Sequence, residues 1–329
     1  MNHKILLAIF IAFFATLCYN LGFAQEGGYL SSLSVTKGEN VRFYLSTSDS
    51  SFVLPIYRLG KQKKNILNIA NIPGGIQTAG DSAFILGCNW RGSVDLVIPE
   101  SWQSGVYEAD LPTSTGIKPL IFIVREKVLG SYSKIVVNLT VNTWQAYNNW
   151  GGKSLYNFNS TNKTASVKVS FNRPFSDVTS ALYFKWTDKL VKWLENENIA
   201  AEYCISTDLD RDPKFLDHYK VYTTVGHDEY WSLPEREACE NLLSRAGKLI
   251  VLSGNTCWWQ VRHEDSLRTL VCYRAYNIDP EYPLHDSIVS AVWSRVPIFN
   301  AENNFLGTSF QGGGCWLKEF MTHGKVNSR

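Results

Sequence analysis

The chain has 329 residues, 45% of them hydrophobic and 19% charged, with a formal net charge of +2. That is enough apolar material for two packed cores, and so balanced a charge leaves no electrostatic footprint for nucleic acid or for an acidic membrane surface. Aromatic residues make up 13%, including 11 tryptophans, a loading found both in large cores and in pockets for small organic or sugar ligands.

Taken in chain order, residues 1–24 read as an export signal. Lys4 gives a positive start, Ile5 to Leu17 is an almost unbroken apolar run, and Gly22 and Ala24 supply the small-x-small pattern before Gln25. The run is short for a spanning helix, and no later stretch reaches about 18 apolar residues. Leu17 stands where a lipoprotein site at Cys18 needs a small residue. The expectation is cleavage after Ala24 and a periplasmic or secreted protein with no membrane attachment. Export would put Cys88, Cys204, Cys239, Cys257, Cys272 and Cys315 in an oxidising compartment. None of them forms a CxxC pair or a zinc-like Cys/His spacing, and any disulfide pairing stays open.

Residues 25–130 predict a first domain that is all-β. Short alternating runs such as Val41–Leu45 and Ser93–Ile98 are divided by Gly38, Gly60, Pro73-Gly74-Gly75, Gly92 and Gly116. Regular spacing of this kind suggests an antiparallel β-sandwich of immunoglobulin-like type, with Leu120–Val124 as its last strand.

Residues 131–329 predict a second domain of alternating strands and helices. Lys134–Val141 is a continuous apolar strand of the kind buried on both faces. A helix around Phe184–Asn196 carries Trp186, Leu190, Trp193 and Leu194 on one side. Asp208, Asp210, Arg211 and Asp212 read as a solvated turn. Ala200–Ser206 and Tyr219–Val225 are strands, Pro234–Arg245 is a helix opened by its proline and stopped by Gly247, and Lys248–Leu252 is the next strand. Such alternation implies right-handed crossovers and a parallel sheet. The fold class is therefore α/β: the sandwich, then a parallel-sheet domain resembling a glutamine-amidotransferase-like or flavodoxin-like fold. Beyond Trp259 strands and loops mix, ending in Gly312-Gly313-Gly314 and a polar tail.

Open parallel sheets bind ligands beyond the carboxyl ends of their strands, and three strand ends here carry dense polar-aromatic segments. They are Asn142-Thr143-Trp144-Gln145-Ala146-Tyr147-Asn148-Asn149-Trp150-Gly151-Gly152, then Gly226-His227-Asp228-Glu229-Tyr230-Trp231, then Ser253-Gly254-Asn255-Thr256-Cys257-Trp258-Trp259. Glu229 follows His227 by two positions, so in extended chain both side chains project to one side. The tryptophans Trp144, Trp150, Trp231, Trp258 and Trp259 read as packing or pocket wall.

These segments, with Ser104-Gly105-Val106-Tyr107-Glu108-Ala109, resemble the large (β) subunit family of N,N-dimethylformamidase in its C-terminal domain, over roughly residues 95–265. The resemblance implies a mononuclear ferric ion (Fe3+) held by Tyr107, Tyr147 and Glu229, with His227 and Asn255 handling water and the substrate amide beside it. It also implies a small amide substrate, a small partner subunit and a homo-oligomer. The family domain continues past the point that matches Arg329, and a further acidic residue it supplies there has no match here; Glu319 does not stand in for it. That implies a chain shortened relative to the family, or a member without amidase activity.

The implied chemistry is coherent. A hard trivalent ion suits phenolate and carboxylate oxygens better than sulfur. A free phenol ionises near pH ~10, so a tyrosinate at neutral pH needs a strong Lewis acid to displace its proton. Three protein ligands leave positions open for water and a carbonyl. His227 would then serve as base or proton shuttle, and Asn255 as donor to the developing oxyanion. Two other readings compete with this iron-dependent amidohydrolase. One is an exported, non-catalytic module that binds carbohydrate or a small molecule in an aromatic crevice. The other is a cysteine hydrolase built on Cys257 with His227 or His263, although no glycine follows the cysteine as a sharp nucleophile elbow requires.

Overall fold

In the computed structural model, which describes residues 23–309, the chain forms a mixed α/β fold with several sheets. The N-terminal half runs through β1 (Gly27–Leu30), β2 (Ser34–Thr36), β3 (Asn40–Leu59), β4 (Lys64–Gly75), β5 (Val94–Val97), β6 (Gly105–Thr113) and β7 (Gly116–Arg125). All seven join one sheet, because the 20-residue β3 changes partner along its length. Its early residues pair with β1 and β5 and its later ones with β4 and β6, always antiparallel. Register shifts between Thr47 and Ser51, Phe52 and Leu54, and Ile56 and Tyr57 bend the strand as bulges do. β2 then joins β7 in parallel. The sequence suggested two stacked antiparallel sheets; the hydrogen bonding makes one curled, mixed sheet. Its inner face follows the alternation that was legible: Val41, Phe43, Leu45, Phe52, Leu54 and Ile56 are all buried.

The second half contains β8 (Ile135–Leu139), α1 (Val141–Tyr147), β9 (Lys168–Ser170), α2 (Asp177–Leu182), α3 (Asp188–Asn196), β10 (Glu202–Ile205), α4 (Ser206–Arg211), β11 (Val221–His227), β12 (Tyr230–Ser232), α5 (Leu233–Ser244), β13 (Lys248–Gly254), β14 (Trp259–Glu264) and β15 (Thr269–Val271). Four strands form a wholly parallel sheet in the order β10-β8-β11-β13. From β8 the chain crosses to β10 on one side, then returns to β11 on the other. Crossovers that part in opposite directions leave a crevice at the carboxyl ends of β8 and β11. The helix of the last crossover, α5, starts cleanly because Ser232 Oγ accepts the Glu235 N–H at 3.2 Å and Pro234 occupies its first turn.

Several expectations shift. β8 stops at Leu139 and α1 begins at Val141, so the segment from Asn142 to Tyr147 is helix rather than loop. Between α2 and α3 a single wide turn spans Tyr183–Thr187, and the buried stripe is Tyr183, Thr187, Val191 and Leu194. Trp186 and Trp193 are 42% and 52% exposed; the tryptophan face picked by periodicity is the outer one. Asp208 is no solvated turn: it is buried in α4, accepts Ser34 Oγ at 2.7 Å and pairs with Arg125 at 3.4 Å and Arg211 at 2.9 Å. It thereby ties the two halves together. A single apolar cluster does the same, running from Phe43 and Phe122 to Val137, Leu139, Val191 and Leu194.

A third sheet, in the order β9-β15-β14-β12, is made of short strands, with β12 parallel to β14 and the other pairs antiparallel. Among the described residues Cys88, Cys204, Cys239, Cys257 and Cys272 are buried free thiols, and no helix is long and apolar enough to cross a membrane. Cys315, Glu319 and most of the export signal lie outside the described residues.

Candidate functional site

The crevice between β8 and β11 is built around one carboxylate. Glu229 stands two residues past the end of β11, 6% exposed. Its main-chain N–H donates to Thr143 Oγ1 on α1 at 2.9 Å, and its carbonyl accepts the N–H groups of Trp258 at 3.1 Å and Trp259 at 2.9 Å. Both sides of the crevice thus fix its backbone. The β12–β14 pairing sets Tyr230 opposite Trp259 and so holds the chain immediately after Glu229 as well.

Four side chains converge on that carboxylate. Tyr147 Oη donates to Glu229 Oε2 at 3.0 Å and Tyr156 Oη to the same oxygen at 2.6 Å. His227 Nε2 lies 3.1 Å from Oε2 and 3.1 Å from Tyr147 Oη. Trp259 Nε1 donates to Oε1 at 3.1 Å. The rings of Tyr147 and Tyr156 are 4.3 Å apart and that of His227 meets Tyr147 edge-on. The i, i+2 spacing of His227 and Glu229 projects both into the site, while the intervening Asp228 turns back into the core and accepts the Thr224 hydroxyl.

The electrostatics follow from this geometry. Burial pushes Glu229 up, but hydrogen bonds from His227, Tyr156 and Tyr147 outweigh it and hold the carboxyl below its ordinary range. The same burial, with the Glu229 charge alongside, pushes the phenols of Tyr147 and Tyr156 well above theirs. The site is therefore a carboxylate that accepts the hydroxyls of two phenols.

The Tyr156 N–H donates to Ser154 Oγ at 2.9 Å and its carbonyl accepts Ser160 Oγ at 2.6 Å, and the segment around it is held from further away. Arg173, 1% exposed, spends its guanidinium on the carbonyls of Asn148, Trp150, Lys153 and Ser170 and on Gln145 Oε1. This pins the segment after α1, and Asn159 Nδ2 then bonds the Tyr147 carbonyl at 3.0 Å.

Of the residues singled out from sequence, Tyr147, His227 and Glu229 come together. Tyr107 does not join them. It lies on β6, which is paired on both edges, and its ring stacks on Trp102 at 4.8 Å and Phe122 at 5.6 Å. Its hydroxyl donates to the Gln103 carbonyl, and burial pushes it up to about 12. The strand directs this side chain into the packing of the curled sheet, and Tyr156 stands where a second phenol was expected. Asn255 follows the paired end of β13 in left-handed backbone, φ 53°, and is half-buried. Cys257 is fully buried, with its thiol pushed well above the ordinary range by burial; His263 is taken by Asp210 and Asn142. No accessible thiolate with a histidine base exists there, which removes the cysteine-hydrolase reading. The sequence did not single out Tyr156 or Arg274, which stacks over it at 4.1 Å; neither sits at a strand end or in a motif.

Among the described residues no three His, Cys, Asp or Glu side chains gather as a metal site. The donors that do gather are two phenols, one carboxylate and one imidazole, a set suited to a hard, highly charged cation. The family described as N,N-dimethylformamidase beta subunit-like, C-terminal, matches the chain over residues 55–327. No curated protein matches it.

Proposed function

Because the chain belongs to the N,N-dimethylformamidase beta subunit-like, C-terminal family, we propose that it is an iron-dependent amidohydrolase cleaving the C–N bond of a small amide. The observation that supports this most is the convergence of Tyr147, Tyr156 and His227 on Glu229 Oε2. Tyr147, Tyr156 and Glu229 would hold a ferric ion, with Tyr156 in the role first expected of Tyr107. Each phenol proton now bridges to the carboxylate, so a cation that displaced both would leave oxygen ligands already gathered. When bound, the ion supplies Lewis acidity toward a carbonyl oxygen and toward water.

The chain's own residues do the rest. His227, its side chain 23% exposed, reaches both solvent and the carboxylate, so it takes a proton from the attacking water and returns it to the leaving nitrogen. The water oxygen bonds to the carbonyl carbon, the C–N bond breaks, and an acid and an amine leave. Trp259 holds the second oxygen of Glu229 and stops the carboxylate rotating. Asn255 stands beyond the β11–β13 pairing of His227 with Gly254, where it would donate to the developing oxyanion.

The strand order β10-β8-β11-β13 also supports a flavodoxin-like or glutamine-amidotransferase-like second domain. The family's beta-subunit description supports a multi-subunit assembly with a small partner, and the N-terminal apolar run supports export. Dimethylformamide is the direct probe. Protein reconstituted with ferric iron should release formate and dimethylamine, and metal-free protein should not. Ligand binding in an iron-free, colourless protein without turnover would favour the non-catalytic module instead.

A further inference from the structure

Beside the site lies a cavity of about 540 Å³ whose wall includes Trp259, Arg274, Tyr276, Asn277, Arg295 and Phe299. Two of these residues belong to the site as well. Trp259 holds Glu229 with its indole N–H, and Arg274 lies over the Tyr156 ring at 4.1 Å and 5.6 Å from the Trp259 ring. The cavity is in the range that takes drug-sized ligands, about 300–1,000 Å³, so a molecule as small as dimethylformamide would leave it largely empty.

Its charge is the second clue. The arginines that help hold the two halves together pair with acids: Arg58 with Glu195 and Arg125 with Asp208. Arg173 and Arg268 lack an acid but spend their N–H groups on carbonyls and amide oxygens. Arg274 does neither. Its guanidinium donates to the Tyr230 hydroxyl at 2.9 Å and approaches the Cys272 thiol, and its Nε is buried with no partner among the described residues. Arg295 is exposed and rests on the Trp258 ring at 5.8 Å. Neither forms an ion pair among the described residues. A guanidinium with unspent donors in a concave, aromatic wall is suited to a planar oxyanion, which it binds through two parallel N–H bonds.

We propose that this cavity holds the remainder of the amide substrate and that this remainder carries a carboxylate, bound by Arg274 with Arg295 at the rim. One tyrosine ring separates the Arg274 guanidinium from the Glu229 carboxylate, so the substrate carboxylate lies a few bonds from the scissile carbon, as in an N-acyl amino acid. Hydrolysis would then release a carboxylic acid and a free amino acid. The inference rests on the amidase reading for its orientation, not for the binding itself.

The test is calorimetric titration of the full-length, ferric-loaded protein with N-formyl-L-phenylalanine and with its uncharged amide, N-formyl-L-phenylalaninamide. The acid should bind at least about tenfold more tightly, with the advantage lost in Arg274→Gln and reduced by added salt. If Arg274→Gln does not fold, Arg295→Gln, at an exposed position, should still lower the preference severalfold. Equal affinity for the two compounds, or a preference unchanged in the folded variants, overturns the proposal. Preferential binding with no turnover of either compound would support the pocket and count against the amidase. Turnover of both without preference would do the reverse.

Discussion

Tyr107 and the Tyr147–Tyr156 pair are alike in almost every local respect. Tyr107 is buried and the other two partly so, all three pack against other aromatic rings, and burial pushes all three phenols above their ordinary range. They differ in what receives the proton. Tyr107 donates to the main-chain carbonyl of Gln103, four residues earlier in the chain. Tyr147 and Tyr156 donate to one ionised side chain that also receives His227 and Trp259. The same split separates two carboxylates. Burial and the neighbouring Asp110 push Glu108 on β6 up to about 7 despite Lys63 at 3.1 Å, whereas convergent donors keep Glu229 ionised. Burial alone makes a tyrosine or a glutamate structural. Convergent donors from separate elements make a site.

Substitutions can break that comparison. The largest effect should come from Glu229→Gln, which replaces the charged shared acceptor with a neutral amide; iron retention and amide turnover should both fall to background, while Glu108→Gln leaves both unchanged. Next, His227→Gln should lower kcat by about 10²–10⁴-fold with iron retained, and steady-state kinetics beside metal analysis separate the two. Arg173→Met should cost about 3 kcal/mol or more in a denaturant melt, because several buried carbonyls lose their donor at once. The smallest effect is a pH dependence. The folded pKa of Glu108 lies above its ordinary 4.5, so folding takes up a proton between those values. Its contribution is complete below pH ~4.5, declines as pH rises toward about 7 and then levels. Thermal melts of Glu108→Gln should show a smaller fall in stability between pH 5 and pH 8 than the parent protein.

Much of the second half could be read directly, because Ile135–Leu139, Val221–His227 and Lys248–Gly254 are strands with strong apolar or β-branched character, and the site falls at their ends. His227 and Glu229 were legible for the same reason, their two-residue spacing being geometry that extended chain enforces. Tyr156 was not, since it lies in irregular chain held by Ser154 and Ser160 bonding its own backbone and by Arg173 and Asn159 bonding the carbonyls before it, contacts that leave no periodic signal. Tyr107 misled because a short strand motif does not say which of two covered faces its side chain enters. The third sheet escaped because strands such as Tyr230–Ser232 and Thr269–Val271 are too short to show a period. The outward Trp186 and Trp193 misled for another reason: hydrophobic residues at helical spacing ordinarily mark a core-facing stripe, and here the stripe one position away is the buried one.

The central claim is best tested by measuring bound iron and visible tyrosinate charge-transfer absorbance in ferric-reconstituted protein, across Tyr147→Phe, Tyr156→Phe and Tyr107→Phe. Tyr147→Phe and Tyr156→Phe should each weaken or abolish the band and lower the iron content, and Tyr107→Phe should leave both at the parent level. A band that survives Tyr156→Phe but disappears with Tyr107→Phe, or a parent protein that takes up no iron, would contradict it.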